Sequence, residues 1–370
     1  MTPSTISFKP LTFTPLYKTK LWGGQNLKKV LSKDIPENSP VGESWELSGY
    51  GSDASQCITP GFDTFSLQRL FKHYPNELAG AILSTPFFPL LFKFIDAQKN
   101  LSVQVHPDDT QACTHGWGDF GKTECWYVVD AKPPAEIIIG FKNGVTKADI
   151  IHCIEDNSLG SLLNRTPITK GDVLFIPAGT VHAILGGTLL FEVQETSDTT
   201  FRLYDWGRVD SSGTPRELHI NEALHVLDTS YHTQHKITPV IAENSGGVSH
   251  TFRAVCRYFA LEEYTLEPNA AVILPEKNSF AVISVLNGTF SCSAANDTAS
   301  FSQGQTVLIP AACFTDPIRI IAREHTGFLL TTVPDLRSEV IDYLRKSGAT
   351  DATIQALGGH PSHNDLLPLM

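Results

Sequence analysis

One element is written twice in this chain, and it narrows the possible folds more than any other feature. Gly171-Asp-Val-Leu-Phe-Ile-Pro177-Ala is echoed by Gly304-Gln-Thr-Val-Leu-Ile-Pro310-Ala. Each copy is a turn glycine, a short apolar strand and an Ile-Pro stop. Glycine admits the positive φ of a tight turn, and proline lacks the N–H needed to continue a ladder. The repetition predicts two similar all-β bodies. The rest of the chain agrees: Ala135–Phe141, Asp172–Pro177, Leu189–Gln194, Ala271–Leu274, Phe280–Leu286 and Gln305–Pro310 read as short strands broken by Gly, Pro, Asn or Asp. That is the pattern of a sandwich or barrel.

Helical periodicity is sparse. It occurs in Thr64–Leu83, interrupted at Pro75, and in Thr146–Ile154, which opens with a Thr146-x-x-Asp149 relative of the capping box. It recurs in Leu218–Leu227 and in Asp335–Arg345, which ends at Ser347-Gly348. At 370 residues the chain is long for one core. The polar stretch Tyr231–Ser249 is the expected boundary, giving domains over residues 1–235 and 236–370.

The two copies part company where chemistry enters. After Ala178 the first continues Gly-Thr-Val-His182; after Ala311 the second continues Ala-Cys-Phe-Thr, with no histidine. A metal ligand is therefore expected in the first body alone. A second segment supports it. Leu101-Ser-Val-Gln-Val-His106-Pro alternates as a strand, which puts Ser102, Gln104 and His106 on one face, successive members roughly 6.5–7 Å apart. In Gly121-Lys-Thr-Glu-Cys-Trp-Tyr127, Lys122, Glu124 and Trp126 share a face in the same way. Imidazole, carboxylate and amide oxygen suit Zn²⁺, Mn²⁺ or Fe²⁺, and a set with open positions marks a catalytic rather than a structural ion. One divalent ion on Gln104, His106, Glu124 and His182 is the expectation, zinc first. Gln104 either ligates directly or orients a bound water.

Charge and composition exclude other classes. A formal net charge of −11 argues against a general nucleic-acid binder. The amino terminus has neither a basic nor an apolar leader segment, and no run approaches the roughly 20 apolar residues of a spanning helix. Seven scattered cysteines without a Cys-x-x-Cys fit a reduced, cytoplasmic protein. Nothing in the sequence fixes the oligomeric state.

The Gly171–His182 element resembles the second motif of the cupin superfamily, with Gly186 where that motif often has Asn. The fuller set resembles the type I mannose-6-phosphate isomerase family in its short bacterial form. It comprises Gln104-Val-His-Pro-Asp, Gly121-Lys-Thr-Glu-x-Trp, Ile176-Pro-Ala-Gly-x-x-His-Ala and Arg202-Leu-Tyr-Asp-Trp. It also includes Leu21-Trp-Gly-Gly24, Gly42-Glu-Ser-Trp-Glu-Leu-Ser48 and Phe88-Pro-Leu-Leu-Phe-Lys93, and runs from about Leu16 to Leu227. The resemblance implies a mainly β fold of two cupin-like barrels (jelly rolls), with a few short helices packed on the N-terminal half.

It also implies interconversion of mannose 6-phosphate and fructose 6-phosphate through an enediol(ate), with a small phosphorylated sugar as substrate. It puts the zinc ligands on Gln104, His106, Glu124 and His182, the essential arginine on Arg202, and Ser102 and Lys122 in the pocket. Arg202 and Lys122 are the catalytic candidates and Ser102 a substrate contact. The base stays open among Lys122, Glu192, Glu195 and a metal-bound hydroxide. The rival readings are a metal-dependent cupin oxygenase and a non-enzymatic sugar-binding double cupin. Glu43 and Glu46 straddle Trp45, and Glu46 is the one considered for the pocket.

Overall fold

The structure, a computed structural model, describes residues 7–80, 85–209, 212–230, 236–295 and 297–370. Its strands form four antiparallel sheets. A six-stranded sheet runs in the order Leu16–Gly24, Val41–Leu47, Leu90–Ala97, Thr188–Glu195, Glu124–Ala131, Val173–Ile176. Opposite it lies a five-stranded sheet, Phe201–Tyr204, Val103–Val105, His182–Ile184, Ala135–Phe141, Leu163–Ile168. The chain is mainly β, as its broken apolar runs predict.

Strand Leu90–Ala97 shows why these sheets stack. All of its residues are buried, because both faces of its sheet are covered and neither face needs to be polar. Side chains alternate, so Ile95 packs toward the five-stranded sheet with Trp126, Ile137, Ile139, Leu174 and Ile184. Phe92 and Phe94 point the other way, into a core with Phe191, Val193 and Phe175. The two charges in the strand have set tasks. Asp96 accepts from the backbone N–H of Asn26 at 2.5 Å, which anchors helix Asn26–Leu31. Lys93 faces inward and is discussed below. Outside the five-stranded sheet, helices Lys147–Glu155 and Ile220–Val226 bury Ile150, Ala223 and Val226 against Val105, Ile138 and Leu203.

A seven-stranded sheet follows the order Leu11–Thr12, Thr306–Ile309, Ala281–Asn287, Thr326–Thr332, Ala260–Leu266, Val248–Val255, Val240–Ser245. Its companion has four strands, Ala271–Ile273, Arg319–Ala322, Thr289–Ala294 and Asp297–Ser302. The outer face of the six-stranded sheet packs on this second pair. Phe175 meets Phe259 with centroids 6.3 Å apart, Phe88 meets Phe280 at 4.6 Å, and Tyr127 Oη donates to Glu263 at 2.8 Å. Removing the buried Phe191 ring, 5.4 Å from Phe94, is expected to cost about 3–5 kcal/mol. A denaturation midpoint for Phe191→Ala that falls at constant m-value would show it.

The echo glycines share a conformation but not an environment. Gly171 and Gly304 have φ of +88° and +80°. A Cβ at Gly171 would meet nothing, whereas one at Gly304 would stand 2.1 Å from the carbonyl oxygen of Leu31. The second copy is pressed against an amino-terminal helix.

Three expectations change. Part of the stretch read as a linker, Tyr231–Ser249, is the strand Val240–Ser245, while residues 231–235 lie outside the described set. This strand is the exposed edge of its sheet, so most of its side chains meet water and its sequence reads as polar. Strand Leu11–Thr12, from the other end of the chain, pairs with Thr306–Ile309. Helix Asp109–His115 was not anticipated. A capping box between Asp108 and Gln111 starts it, but it buries only Ala112 and so carries no apolar stripe. The Thr146–Asp149 capping box is present at the head of helix Lys147–Glu155. No helix among the described residues is long and apolar enough to cross a membrane.

Candidate metal centre and its cleft

Strand register assembles the site. Across the five-stranded sheet, His182 pairs with Gln104 and Gln104 with Arg202. Directly paired residues share a face, so three neighbouring strands present imidazole, amide and guanidinium in one row. Across the six-stranded sheet a second row runs Trp126, Glu192, Lys93, Trp45. The rows face each other, and Glu124, at the head of its strand, stands two residues before Trp126.

His106, Glu124 and His182 are all buried, and one ligand atom from each lies within 4.8 Å of the others. His106 Nε2 is 3.3 Å from Glu124 Oε1, and His182 Nε2 is 3.6 Å from Oε2. Each imidazole turns Nδ1 to a backbone carbonyl: His106 to Thr199 at 2.8 Å and His182 to Thr180 at 2.9 Å. A neutral ring that donates from Nδ1 keeps its Nε2 lone pair for the centre. Burial, with the charge of Lys122, pushes the His106 imidazole down to about 3, and burial lowers His182 as well. Burial opposes ionisation of Glu124, but Lys122, His106 and His182 together hold its carboxyl well below the usual range. Glu124 Oε2 is enclosed without a hydrogen-bond donor. Two neutral imidazoles and a carboxylate with one oxygen lacking a donor fit a divalent cation. Gly179, with φ +84°, makes the turn that aims His182 inward.

Gln104 borders this group, its Nε2 3.3 Å from His182 Nε2. Rotation of the amide would turn its carbonyl oxygen to the same point. Lys122 Nζ lies 2.5 Å from Glu124 Oε1 and 3.2 Å from His106 Nε2.

The centre opens into a cleft of about 410 Å³ lined by Lys18, Lys20, Lys93, Lys122, Arg202 and Arg216 against Glu43, Asp53, Glu192 and Asp198. Six basic groups against four acidic ones suit an anionic ligand on a chain whose net charge is −11. Ser102, Trp22, Trp45 and Trp126 complete the wall. Ser102, Gln104, Lys122, Glu192 and Arg202 line this cleft, and His106, Glu124 and His182 stand beside it; Glu195 and Glu46 do not reach it. The tertiary structure adds Lys93, Glu43 and the basic rim Lys18, Lys20 and Arg216. Lys93 had a signal in the sequence, as the one charge in Leu90–Ile95. The rim had none, since surface lysines are common.

Lys93 Nζ donates to Gln194 at 2.6 Å and lies 3.2 Å from Glu192 Oε1 without hydrogen-bond alignment. Trp126 Nε1 donates to Glu192 Oε2 at 2.8 Å. Burial and the charge on Glu124 push the Glu192 carboxyl up. Glu43, not Glu46, faces the cleft. It accepts from Trp45 Nε1 at 2.8 Å and pairs with Lys20 at 3.2 Å. Glu46, one position out of phase, pairs with the buried Lys33 at 2.6 Å. Arg202 donates from Nη1 to the Glu217 carbonyl at 2.6 Å, while its buried Nε has no partner. Among the described residues no carboxylate forms an ion pair with it, whereas Arg216 is bound to Asp205.

Glu195 is turned away from the cleft. Its Oε2 accepts from Thr123 N–H at 2.8 Å, between Lys122 and Glu124, and its carboxyl shares a hydrogen bond with Asp109. Asp109 in turn accepts from Gly121 N–H and from Tyr258 Oη, each at 2.7 Å. Tyr258 belongs to the second pair of sheets, so that half of the chain braces the segment bearing Lys122 and Glu124.

Residues 11–115 match the family model for the catalytic domain of type I phosphomannose isomerases. The mannose-6-phosphate isomerase ManA of Bacillus subtilis is 36% identical over 309 residues, 82% of this chain and 94% of that protein. The mannose-6-phosphate isomerase of Streptococcus mutans is 33% identical over 302 residues, 82% of this chain and 92% of that one. The crystal structure of the mannose 6-phosphate isomerase from Bacillus subtilis superposes with a TM-score of 0.79 at 30% identity, covering 87% of this chain and 99% of that one. A phosphomannose isomerase from Salmonella typhimurium shares the fold, with a TM-score of 0.69 at 15% identity over 88% of this chain and 99% of that one. On this similarity along most of its length, the chain belongs to the type I phosphomannose isomerase family.

Proposed function

We propose that this chain interconverts D-mannose 6-phosphate and D-fructose 6-phosphate in the cleft between its six- and five-stranded sheets, through an enediol(ate). The observation that carries the reading is the row His182, Gln104, Arg202 facing Glu124 and Lys122, in a cleft with a surplus of basic groups. Gln104, His106, Glu124 and His182 would hold the ion, Zn²⁺ by the chemistry of the donor set. When bound, a divalent cation supplies a Lewis acid for the carbonyl oxygen.

The remaining work falls to the chain's own side chains. Converting the aldose removes the C2 proton, delivers a proton to C1, and moves the hydroxyl proton from O2 to O1. Lys122 and Glu192 border the cleft and take these transfers; Glu195 does not reach it, and geometry precedes pKa in choosing a base. Arg202 keeps its charge and has an unmet donor, so it stabilises the enediolate or the phosphate. Ser102 Oγ, in the same wall, donates to the substrate. We read each pair of sheets as a cupin-like barrel, the first, within residues 1–235, carrying the centre, and the second, residues 236–370 joined by strand Leu11–Thr12, metal-free. The His/Glu group of the first is the sole such cluster among the described residues.

A coupled assay of mannose 6-phosphate conversion tests the proposal. Chelation should abolish conversion and added Zn²⁺ restore it. Metal-loaded protein that shows no aldose–ketose exchange would defeat the reading. Arg202→Ala is expected to lower kcat/KM by roughly 10²–10³-fold with metal content unchanged. Loss of the metal would instead remove Arg202 from any role toward the substrate.

A further inference from the structure

The second pair of sheets holds a cavity of its own, of about 530 Å³. It opens at the inner face of strands Val248–Val255 and Ala260–Leu266 and is bordered by the segment 275–278 and by the turns Leu336–Lys346. That face is the inside of the second sheet pair. Tyr264 stacks on Phe328 at 5.1 Å, and Phe328 meets Phe290 of the four-stranded sheet at 5.4 Å. The cavity thus lies on the inner face of the seven-stranded sheet, closed by a loop and helical turns rather than by the four-stranded sheet.

Its wall is polar and ordered. Glu262 is fully buried. Its Oε2 lies 2.6 Å from His250 Nε2, and its Oε1 accepts from Lys277 Nζ at 2.9 Å. Burial opposes ionisation of Glu262, yet Lys277 and His250 bring its carboxyl down to about 2. Tyr343 Oη reaches toward His250 Nδ1 at 3.4 Å, and its ring lies 5.9 Å from that of Phe252. Glu339 Oε1 accepts two hydrogen bonds from Asn278, but its Oε2 has no donor in the protein. A hydrophobic core gains nothing from such a cluster, since burying charged groups costs more than apolar residues of the same volume would. Ligand cavities of this size ordinarily combine aromatic walls with a few placed polar groups.

We infer that this cavity is a second ligand site, for a neutral polyhydroxylated molecule of hexose size. Ligand hydroxyls donate to Glu339 and accept from Lys277 and from the Tyr343 hydroxyl, and the apolar face of a sugar ring rests on Phe252. Charge separates the two sites. The cleft carries a surplus of basic groups, whereas this wall sets Lys277 and Lys346 against Glu262, Glu276 and Glu339. The cavity offers no positive field for a phosphate. The inference is independent of the reaction proposed for the cleft.

Saturation-transfer NMR and titration calorimetry of the full chain with D-mannose and with D-fructose test it. Binding of one of them in the millimolar range is expected. Glu339→Gln and Tyr343→Phe should each weaken it by about tenfold, the worth of one hydrogen bond to a charged or buried polar group. Both variants should keep the parent's isomerase kinetics and melting temperature, and Arg202→Ala should keep hexose binding. Three results overturn the inference: no hexose binding, hexose binding that disappears in Arg202→Ala but survives both cavity substitutions, or tighter binding of mannose 6-phosphate than of mannose in Arg202→Ala.

Discussion

Glu124→Gln is expected to lower the isomerase rate by roughly 10³-fold, as loss of a charged group that fixes an electrostatic centre does, and to leave the purified protein short of one metal per chain. The side chain is enclosed, holds one oxygen against Lys122 and has no donor for the other. An amide of the same shape removes the charge that makes both contacts favourable. A second effect separates this from a simple loss of ligand. In chelated protein the variant leaves the buried Lys122 ammonium without its counter-ion, a defect worth about 3–5 kcal/mol. Its melting temperature should therefore fall below that of chelated parent protein. Metal analysis, the coupled assay and paired thermal melts read these effects. Full metal content and near-normal rate in the variant would mean that Glu124 does not ligate.

The second large effect concerns pH. Burial, and then the negative charge of Asp109, push the Glu195 carboxyl up to about 8. An unfolded glutamate ionises near 4.5. Below that value both states hold the proton and Glu195 leaves stability unchanged with pH. Between the two values the folded state keeps a proton that the unfolded state has lost, so stability falls as pH rises, by up to about 1.4 kcal/mol per unit. Glu195→Gln keeps a neutral group that accepts from Thr123 N–H and donates to Asp109. It should be more stable than the parent by on the order of 2–4 kcal/mol at pH 8, with the difference closing near pH 5. Parallel stability curves across that range would show that Glu195 is already ionised in the native protein. The same contact couples the halves, since Asp109 is held by Tyr258.

The metal group was legible because a strand's period is rigid. Gln104 and His106 lie two apart, and a turn glycine and a proline precede His182, so their common face follows from alternation. Lys93 could be suspected as the one charge in the run Leu90–Ile95, but its pairing with Glu192 could not, since the two meet across strands 99 residues apart in sequence. Glu43 and Glu46 show the limit most plainly. The sequence placed both beside Trp45, and only the register against Leu90–Ala97 turned Glu43 to the cleft and gave Glu46 to Lys33. Membership in an isomerase family removes the ground for the oxygenase and non-enzymatic alternatives, which the residue types alone had left open.

By itself, then, the repeated turn–strand–proline element determined that this chain would be built mainly of short β-strands, and the histidine after its first copy marked one member of the His106–Glu124–His182 cluster. Those are local properties, written in periods of two residues and in the φ of a glycine. Tertiary structure alone decided what surrounds the metal. The row of His182, Gln104 and Arg202 joins strands far apart in sequence, and the basic rim, the Glu195 brace and the second cavity bring loops and helical turns to strands from equally distant parts of the chain. Cross-strand register sets such neighbours, and it is fixed by how two sheets bury their faces rather than by any one segment.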